Sequence, residues 1–217
     1  MNSRIIGFVG VDVPDTMLYL SRIFYHMGKR VLMTDYSESK ALYYSIPLVP
    51  GTDVYSMRIE YRDTFFTCGA ITEQELQEFD VVMIFFGFAW RKELDLCSHL
   101  IYTTDFEKNH LEKLAELKKK GTVYTQLVYR NVGKDRYLQR RKPFFSTEIR
   151  EECQYDCNDS SKEKRLRREC QYNDSYGFRG ISSGFRKYLS ETVRAVFPDE
   201  AGERGFAECF RRAEMGV

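Results

Sequence analysis

The chain has 217 residues and a mass of 25.6 kDa, with 43% hydrophobic and 15% aromatic residues and a formal net charge of +1. This composition supports a folded core and excludes a globally disordered chain. The longest uncharged apolar run, residues 81–90, is too short for a membrane-spanning helix, which needs about 20 residues. The first residues lack the pattern of a secretion signal. We therefore expect a cytoplasmic protein, and the nearly neutral charge does not indicate a nucleic-acid partner.

The six cysteines do not form a recognisable metal-binding pattern. The only cluster is Cys153-x3-Cys157-x12-Cys170, which has no paired CxxC rhythm and no nearby histidine. Structural zinc sites require such ligand spacing. We expect reduced thiols and no metal ion.

The first 35 residues predict a parallel strand–helix–strand unit. Residues 4–10 form a short apolar run that ends in glycine, which is typical of a buried strand. Pro14 and Asp15 then begin a helix, because both residue types suit a first helical turn. Gly28 ends that helix, and residues 31–35 form a second apolar strand.

The rest of the chain continues the alternation of strands and helices. We predict an antiparallel excursion at 54–68, a buried strand at 80–87, a helix at 105–120, a strand at 122–129, a short basic helix at 134–142, an exposed loop or solvated helix at 156–170 and a helix at 181–197. This order predicts one α/β domain over residues 1–198, with a mostly parallel sheet and helices on both faces. Residues 199–217 would form a tail that is detached or amphipathic.

Three phrases of the sequence, in this order and spacing, carry a resemblance to a known family. They are Gly28-Lys-Arg-Val-Leu-Met-Thr-Asp35, Asp80-Val-Val-Met-Ile-Phe-Phe-Gly87 and Leu127-Val-Tyr-Arg-Asn131. Over about residues 4–197 the chain resembles the MinD/ParA-like (SIMIBI-class) branch of the P-loop NTPases. The resemblance implies a nucleotide site whose base would be framed by Arg130 and Asn131.

The chain departs from the family where phosphate chemistry takes place. Counting back from Gly28 by the usual helix length places Val13 at the position of the loop lysine and Pro14 at that of the threonine that holds Mg²⁺. Phe85 stands where the family has an aspartate. Asp12 and Asp15 would face the phosphates, and two carboxylates there would repel a triphosphate. The resemblance therefore implies a fold without ATP hydrolysis, so we do not expect an enzyme.

Two interpretations of the old nucleotide site stay open. Gly10, Thr16, Asp35, Arg130 and Asn131 could still hold ATP or ADP without hydrolysis, although no cofactor is the first expectation. In the alternative, Asp35 is a strand-end carboxylate that caps the next turn together with Ser37.

Two aromatic groups are candidate interaction surfaces. Active relatives form face-to-face dimers across ATP, and we expect Phe85, Phe86, Phe88 and Trp90 to provide a substitute contact in a homodimer or with another protein. Phe206 and Phe210 in the tail would lie on one helical face and form a weak peripheral membrane contact.

The first functional hypothesis is a non-catalytic MinD/ParA-like pseudo-ATPase that acts as a localisation or assembly scaffold through protein contacts. One candidate subgroup is the TadZ/CpaE-like proteins of pilus-assembly loci, some of which have weakened nucleotide loops; they often carry an additional receiver-like domain. The second hypothesis is a nucleotide sensor without hydrolysis. A Rossmann-type enzyme is a third, but Gly7 and Gly10 have the wrong spacing for its glycine-rich turn.

Overall fold

The computed structural model describes residues 3–11, 13–105, 107–117, 124–130, 149–157, 160–172, 177–200 and 203–216. Its strands are β1 (Arg4–Gly10), β2 (Val31–Asp35), β3 (Ile59–Tyr61), β4 (Thr64–Thr67), β5 (Val81–Gly87), β6 (His99–Thr104), β7 (Tyr124–Arg130) and β8 (Gln154–Cys157). Its helices are α1 (Pro14–His26), α2 (Ala41–Tyr44), α3 (Glu73–Glu78), α4 (Lys108–Leu117), α5 (Ser161–Gln171), α6 (Ser183–Val196) and α7 (Glu203–Met215). Short 3₁₀ turns lie at Lys92–Leu96 and Glu151–Cys153.

The strands form one sheet in the order β3-β4-β2-β5-β1-β6-β7-β8. Every neighbouring pair is parallel except β3 and β4, which are antiparallel. This confirms the predicted mostly parallel sheet, and the β3–β4 pair lies within the predicted antiparallel excursion. β1 and β5 lie near the centre of the sheet, and helices cover them on both faces, which is why their sequences are almost continuously apolar.

Alternate side chains of the strands belong to two separate cores. In β1, Ile6 and Phe8 pack with α1, α6 and α7, whereas Ile5 and Val9 pack on the opposite face with Leu114 of α4. The two-residue period of a strand dictates this division. Helices on both faces of the sheet are thus confirmed.

Two strands were not expected from the sequence. β6 contains the buried polar residues His99, Thr103 and Thr104, which weaken the apolar signal. The four-residue β8 is followed by α5, so the segment predicted as a loop or solvated helix contains both a strand and a helix. The predicted basic helix at 134–142 lies outside the described residues.

A single carboxylate fixes the starts of α5 and α6. Glu163 is buried, accepts hydrogen bonds from the backbone N–H groups of Ser160 (2.8 Å) and Ser182 (2.7 Å), and forms a capping box with Ser160. Burial would raise the pKa of Glu163, but these hydrogen bonds outweigh burial and hold the pKa below its ordinary value. The ionised carboxylate therefore joins the two helices.

The C-terminal residues form a docked helix. α7 packs against α1, and Phe206 and Phe210 are each 6% exposed. Phe210 meets Phe178 edge-on at 5.6 Å. The expectation that these two rings are available to a membrane surface is therefore wrong in this conformation, because burying them against α1 and α6 removes apolar area from water. None of the described helices has the length and apolar content needed to cross a bilayer.

Replacing Phe210 by alanine should lower the free energy of unfolding by about 3–5 kcal/mol, because the change leaves a cavity under α7. Urea unfolding followed by circular dichroism would measure the loss. Tyr172, which is 76% exposed, provides the control, and its replacement by alanine should have little effect. Equal stability of the two variants would contradict the docking of α7.

Candidate functional site

The sheet has a topological switch point between β1 and β6. The chain leaves β1 through α1, on one face, and continues to β2. It leaves β6 through α4, on the opposite face, and continues to β7 in the other direction. Adjacent parallel strands whose connections diverge in this way leave a crevice at their carboxyl ends, where α/β proteins bind ligands.

Gly10, the last residue of β1, lies very close to the backbone of β6. Its φ of 114° is unfavourable for other residues, and a Cβ at this position would overlap the carbonyl oxygen of Thr103. The same oxygen accepts a hydrogen bond from the backbone N–H of Val11 at 3.1 Å. Glycine is therefore required here for close approach of two backbones.

A buried ion pair lies at the start of α1. Asp15 and Arg130 are each 2% exposed, and Nη2 of Arg130 donates to Oδ2 of Asp15 at 2.7 Å. Nη1 of Arg130 also donates to Oγ1 of Thr16 at 3.4 Å, and Nε of Arg167 donates to Oδ2 of Asp15 at 3.3 Å. The site thus joins the first turn of α1 to the end of β7 and to α5.

The surrounding charges keep Asp15 ionised. Burial alone would raise the pKa of this carboxyl, but Arg130 and then Arg167 outweigh burial and hold the pKa below its ordinary value. The amino end of α1 also favours a negative charge. Arg130 in turn lies over the ring of Phe185 at 4.7 Å, a cation–π contact on the side of α6.

The structure brings together three of the residues that the sequence suggested for nucleotide binding. Gly10 and Thr16 flank the β1–α1 connection, and Arg130 reaches it from β7. Arg130 points at Asp15 and its guanidinium is fully buried, a placement different from the expected one beside a base. Asn131 lies outside the described residues. The importance of Asp15 as a partner of Arg130 could not be found from the sequence, because 115 positions separate them.

The carboxylate of Asp35 accepts hydrogen bonds from the residues that follow it. Its Oδ1 accepts from the backbone N–H of Ser37 at 2.9 Å and from the hydroxyl of Ser37 at 2.5 Å, and its Oδ2 accepts from the backbone N–H of Tyr43 at 2.9 Å. Asp35 is completely buried. The geometry agrees with the alternative in which Asp35 caps the next turn.

The four aromatic residues expected at one contact surface lie in different environments. Phe85 and Phe86 are completely buried on opposite faces of the sheet, so the expectation that they form a surface is wrong. Consecutive side chains of a buried strand point to opposite cores. Phe88 is partly exposed and stacks on His110 at 4.9 Å, whereas Trp90 is 69% exposed.

An open polar cavity of about 370 Å³ lies on the α4 side of the crevice. Its lining residues are Gly10, Val11, Ser37, Glu38, Ser39, Gly87, Phe88, Asp105, His110 and Lys113. Within it, Nδ1 of His110 lies 2.8 Å from Oδ1 of Asp105. These residues come from five segments and carry no sequence signature, so only the fold assembles them. Among the described residues, no three histidine, cysteine, aspartate or glutamate side chains form a group that could hold a metal ion.

The Asp15–Arg130 pair should make stability pH-dependent in a defined direction. Because the pKa of Asp15 is lower in the folded protein, the pair contributes its full stability above the unfolded value near 3.8 and loses it as the pH falls through the folded value. Asp15→Asn should lower the free energy of unfolding by about 3–5 kcal/mol at pH 7. Below pH 4 the free energies of unfolding of the variant and the wild type should become more similar.

Chemical denaturation at a series of pH values would measure this difference. Asp63, whose exposed carboxylate lies 3.5 Å from Arg22, provides the matched control, and Asp63→Asn should change little at any pH. If the difference in free energy of unfolding between Asp15→Asn and the wild type stays constant down to about pH 2.5, Asp15 is not an ionised partner of Arg130.

Neither a protein-family model nor a curated protein matches this sequence. Solved structures do match the fold. A plasmid partition protein of Borrelia burgdorferi B31 bound to AMPPNP is 14% identical, with a TM-score of 0.56, and the match covers 90% of this chain and 98% of that one. For pNOB8 ParA bound to nonspecific DNA the identity is 11%, the TM-score 0.50 and the coverages 98% and 99%. Apo McdA of Cyanthece is 12% identical, with a TM-score of 0.51, and the match covers 97% of this chain and 99% of that one.

These likenesses concern the fold alone, because the identities are low. The DNA-bound neighbour gives no support to the expectation that nucleic acid is not a partner. The similarity spans nearly the whole of each compared chain. The protein has the ParA/MinD-like P-loop NTPase fold.

Proposed function

We propose that this protein is a non-catalytic member of the ParA/MinD-like fold group that acts as a localisation or assembly scaffold through protein contacts. The observation that carries the proposal is the buried carboxylate of Asp15 in the first turn of α1. A phosphate loop works because backbone N–H groups and one lysine surround the phosphates at the start of this helix. Here the chain places its own negative charge at that position.

The position at which α1 begins changes which residues of this chain correspond to the lysine and threonine of the family's phosphate loop. Because α1 begins at Pro14, Thr16 is the hydroxyl residue of its first turn. If Thr16 is matched to the family's metal-binding threonine, the lysine position falls on Asp15 rather than on Val13. The cation of the loop is absent in both registers, and in this one it is replaced by an anion.

The residues at the family's two acidic, metal-binding positions are also unsuited to hold Mg²⁺. Both oxygens of Asp35 are already engaged by Ser37 and Tyr43. Phe85, at the position of the family's second aspartate, is paired with Asp35 in the sheet register and is buried in the core around α1. Carboxylates are the ligands that would hold Mg²⁺ in such a site, so neither position supports phosphoryl transfer.

The scaffold role rests on the surface beside the crevice. Trp90 is exposed and follows Phe88 in the connection after β5. Large exposed aromatic residues of this kind are frequent anchors of protein interfaces. We propose a homodimer through this connection, and the resemblance to TadZ/CpaE-like proteins makes assembly of a pilus or secretion apparatus the proposed process.

Millimolar ATP or ADP with Mg²⁺ should leave the melting temperature of the wild type unchanged, and phosphate release should stay at background. Thermal unfolding and a phosphate-release assay measure both. The Borrelia partition protein, whose structure was determined with bound AMPPNP, serves as the positive control for nucleotide binding. A ligand at about 100 times its Kd would raise the melting temperature by roughly 5–10 °C, and such a shift would contradict a nucleotide-free scaffold.

Trp90→Ser should weaken self-association without loss of folding, because the side chain contributes to contact and not to the core. Light scattering over a range of protein concentrations measures the mass, and circular dichroism checks the fold. Tyr172→Ser, which removes an exposed aromatic ring from the end of α5, is the matched control. An oligomer unaffected by Trp90→Ser would place the interface elsewhere.

A nucleotide sensor without hydrolysis is the second candidate function. One observation favours it: the cavity of about 370 Å³ beside Gly10 remains open at the switch point. A clear thermal shift with nucleotide, together with absent hydrolysis, would place this function first.

A further inference from the structure

We propose that two copies of this chain associate by reciprocal insertion, in which Trp90 of each copy enters the polar cavity of the other. The receiving cavity is the one of about 370 Å³ beside the switch point, and Ser39, Phe88 and His110 are among its lining residues. The proposal rests on the proposed homodimer and deepens it, because it names the surface that receives the tryptophan.

Trp90 and the cavity lie side by side on one surface of the molecule. Phe88, two residues before Trp90, forms part of the cavity wall. The guanidinium of Arg91, the next residue, lies 5.7 Å from the centroid of the Tyr36 ring. Tyr36 directly precedes Ser37, which also lines the cavity. A projecting group and a receptor on one surface can both be used twice in a two-fold symmetric pair, because such an interface brings the same patch of both copies into contact.

The cavity is large enough for an indole ring. A cavity of about 150 Å³ is sufficient to hold a benzene molecule. The open cavity of about 370 Å³ therefore has room for the larger indole of Trp90. Trp90 is exposed within a single copy, so insertion would remove a large aromatic surface from water.

The lining of the cavity suits an indole in particular. The rings of Phe88 and His110 are stacked with their centroids 4.9 Å apart, and they form an aromatic wall against which a third ring packs favourably. Lys113, like His110 a residue of α4, has its Nζ 5.4 Å from the centroid of the Phe88 ring and provides a cation for an aromatic face. An indole has one hydrogen-bond donor and no acceptor. The exposed rim supplies acceptors for that donor in the hydroxyl of Ser39 and the carboxylate of Glu38.

The charges beside the projecting indole are opposite to those of two carboxylates at the cavity. Arg91 and Lys92 are exposed and follow the indole in the sequence, whereas Glu38 and Asp105 line the cavity. Lys113, the lysine of the cavity, lies over an aromatic ring of the wall. In a reciprocal pair, the two cations of one copy would approach the two carboxylates of the other. Complementary charges of this kind orient two partners more than they raise affinity, and they favour a second copy as the occupant.

The test is complementation between two variants of the full-length chain. Trp90→Ser removes the projecting ring and keeps the cavity, whereas Ser39→Phe keeps the ring and fills the cavity. Either variant alone should raise the Kd of self-association about 30-fold or more, as expected for the loss of an interface hot spot. An equimolar mixture should associate more tightly than either variant alone, because Trp90 of the Ser39→Phe copy enters the intact cavity of the other. Sedimentation measures the masses, and circular dichroism checks the fold.

Fluorescence reports directly on the inserted ring, because Trp90 is the single tryptophan of the chain. In the wild type, its emission maximum should move to shorter wavelength as rising protein concentration drives association and the ring leaves water. Ser39→Phe alone should keep the emission of an exposed indole, and addition of Trp90→Ser, which has no tryptophan, should restore the shift. Ser161→Phe changes an exposed serine at the start of α5 and is the matched control, which should associate like the wild type.

Each further outcome decides the matter. A wild type that stays monomeric, with an emission independent of concentration, overturns the proposal, and so does a mixture that associates no better than its two components. Lys113→Phe fills the cavity from α4 and takes the place of Ser39→Phe if that variant does not fold. If Trp90→Ser weakens association but neither filled-cavity variant does, insertion is overturned and the proposed homodimer stands. Nucleotide binding by the wild type would defeat the proposed function but leave the complementation result, obtained without nucleotide, unaffected.

Discussion

The buried ion pair between Asp15 and Arg130 is the interaction on which the site depends. Removing water from two charges is expensive, and this cost is offset only when each charge keeps close partners. Arg130 has such partners in Asp15, Thr16 and the ring of Phe185. Oδ2 of Asp15 has two arginines, whereas Oδ1 is buried with no hydrogen-bond partner among the described residues. Three elements far apart in the chain are therefore held in one arrangement by charge as well as by apolar packing.

The position of that pair gives it functional meaning. It lies beside the switch point of the sheet, where divergent connections leave a crevice and where this fold class binds ligands. Under the proposed function, the carboxylate at the start of α1 takes the place that a phosphate would need, since both gain from the same helix dipole and the same kind of cation.

The apolar substitutions on the other side of the site have a different effect. Phe85 extends the core around α1 into a position where the family has a charged residue. Asp35 next to it has become part of a turn, with its oxygens committed to Ser37 and Tyr43. Phe85 and Asp35 are thus engaged in core packing and in turn hydrogen bonds, and the aromatic Trp90 lies on the surface beside the crevice.

The sequence by itself determined the α/β class, the parallel β1–α1–β2 unit and the absence of a lysine from the β1–α1 connection. These follow from local signals: the period of apolar residues, the helix boundary residues and the identity of single positions. It did not determine the strand β6, whose buried threonines and histidine are polar, or the docking of Phe206 and Phe210, which depends on surfaces formed elsewhere in the chain. Only the tertiary structure decided that Arg130 faces Asp15 and that His110 lines the crevice. Such contacts join residues distant in sequence, and no local pattern encodes which of them will meet.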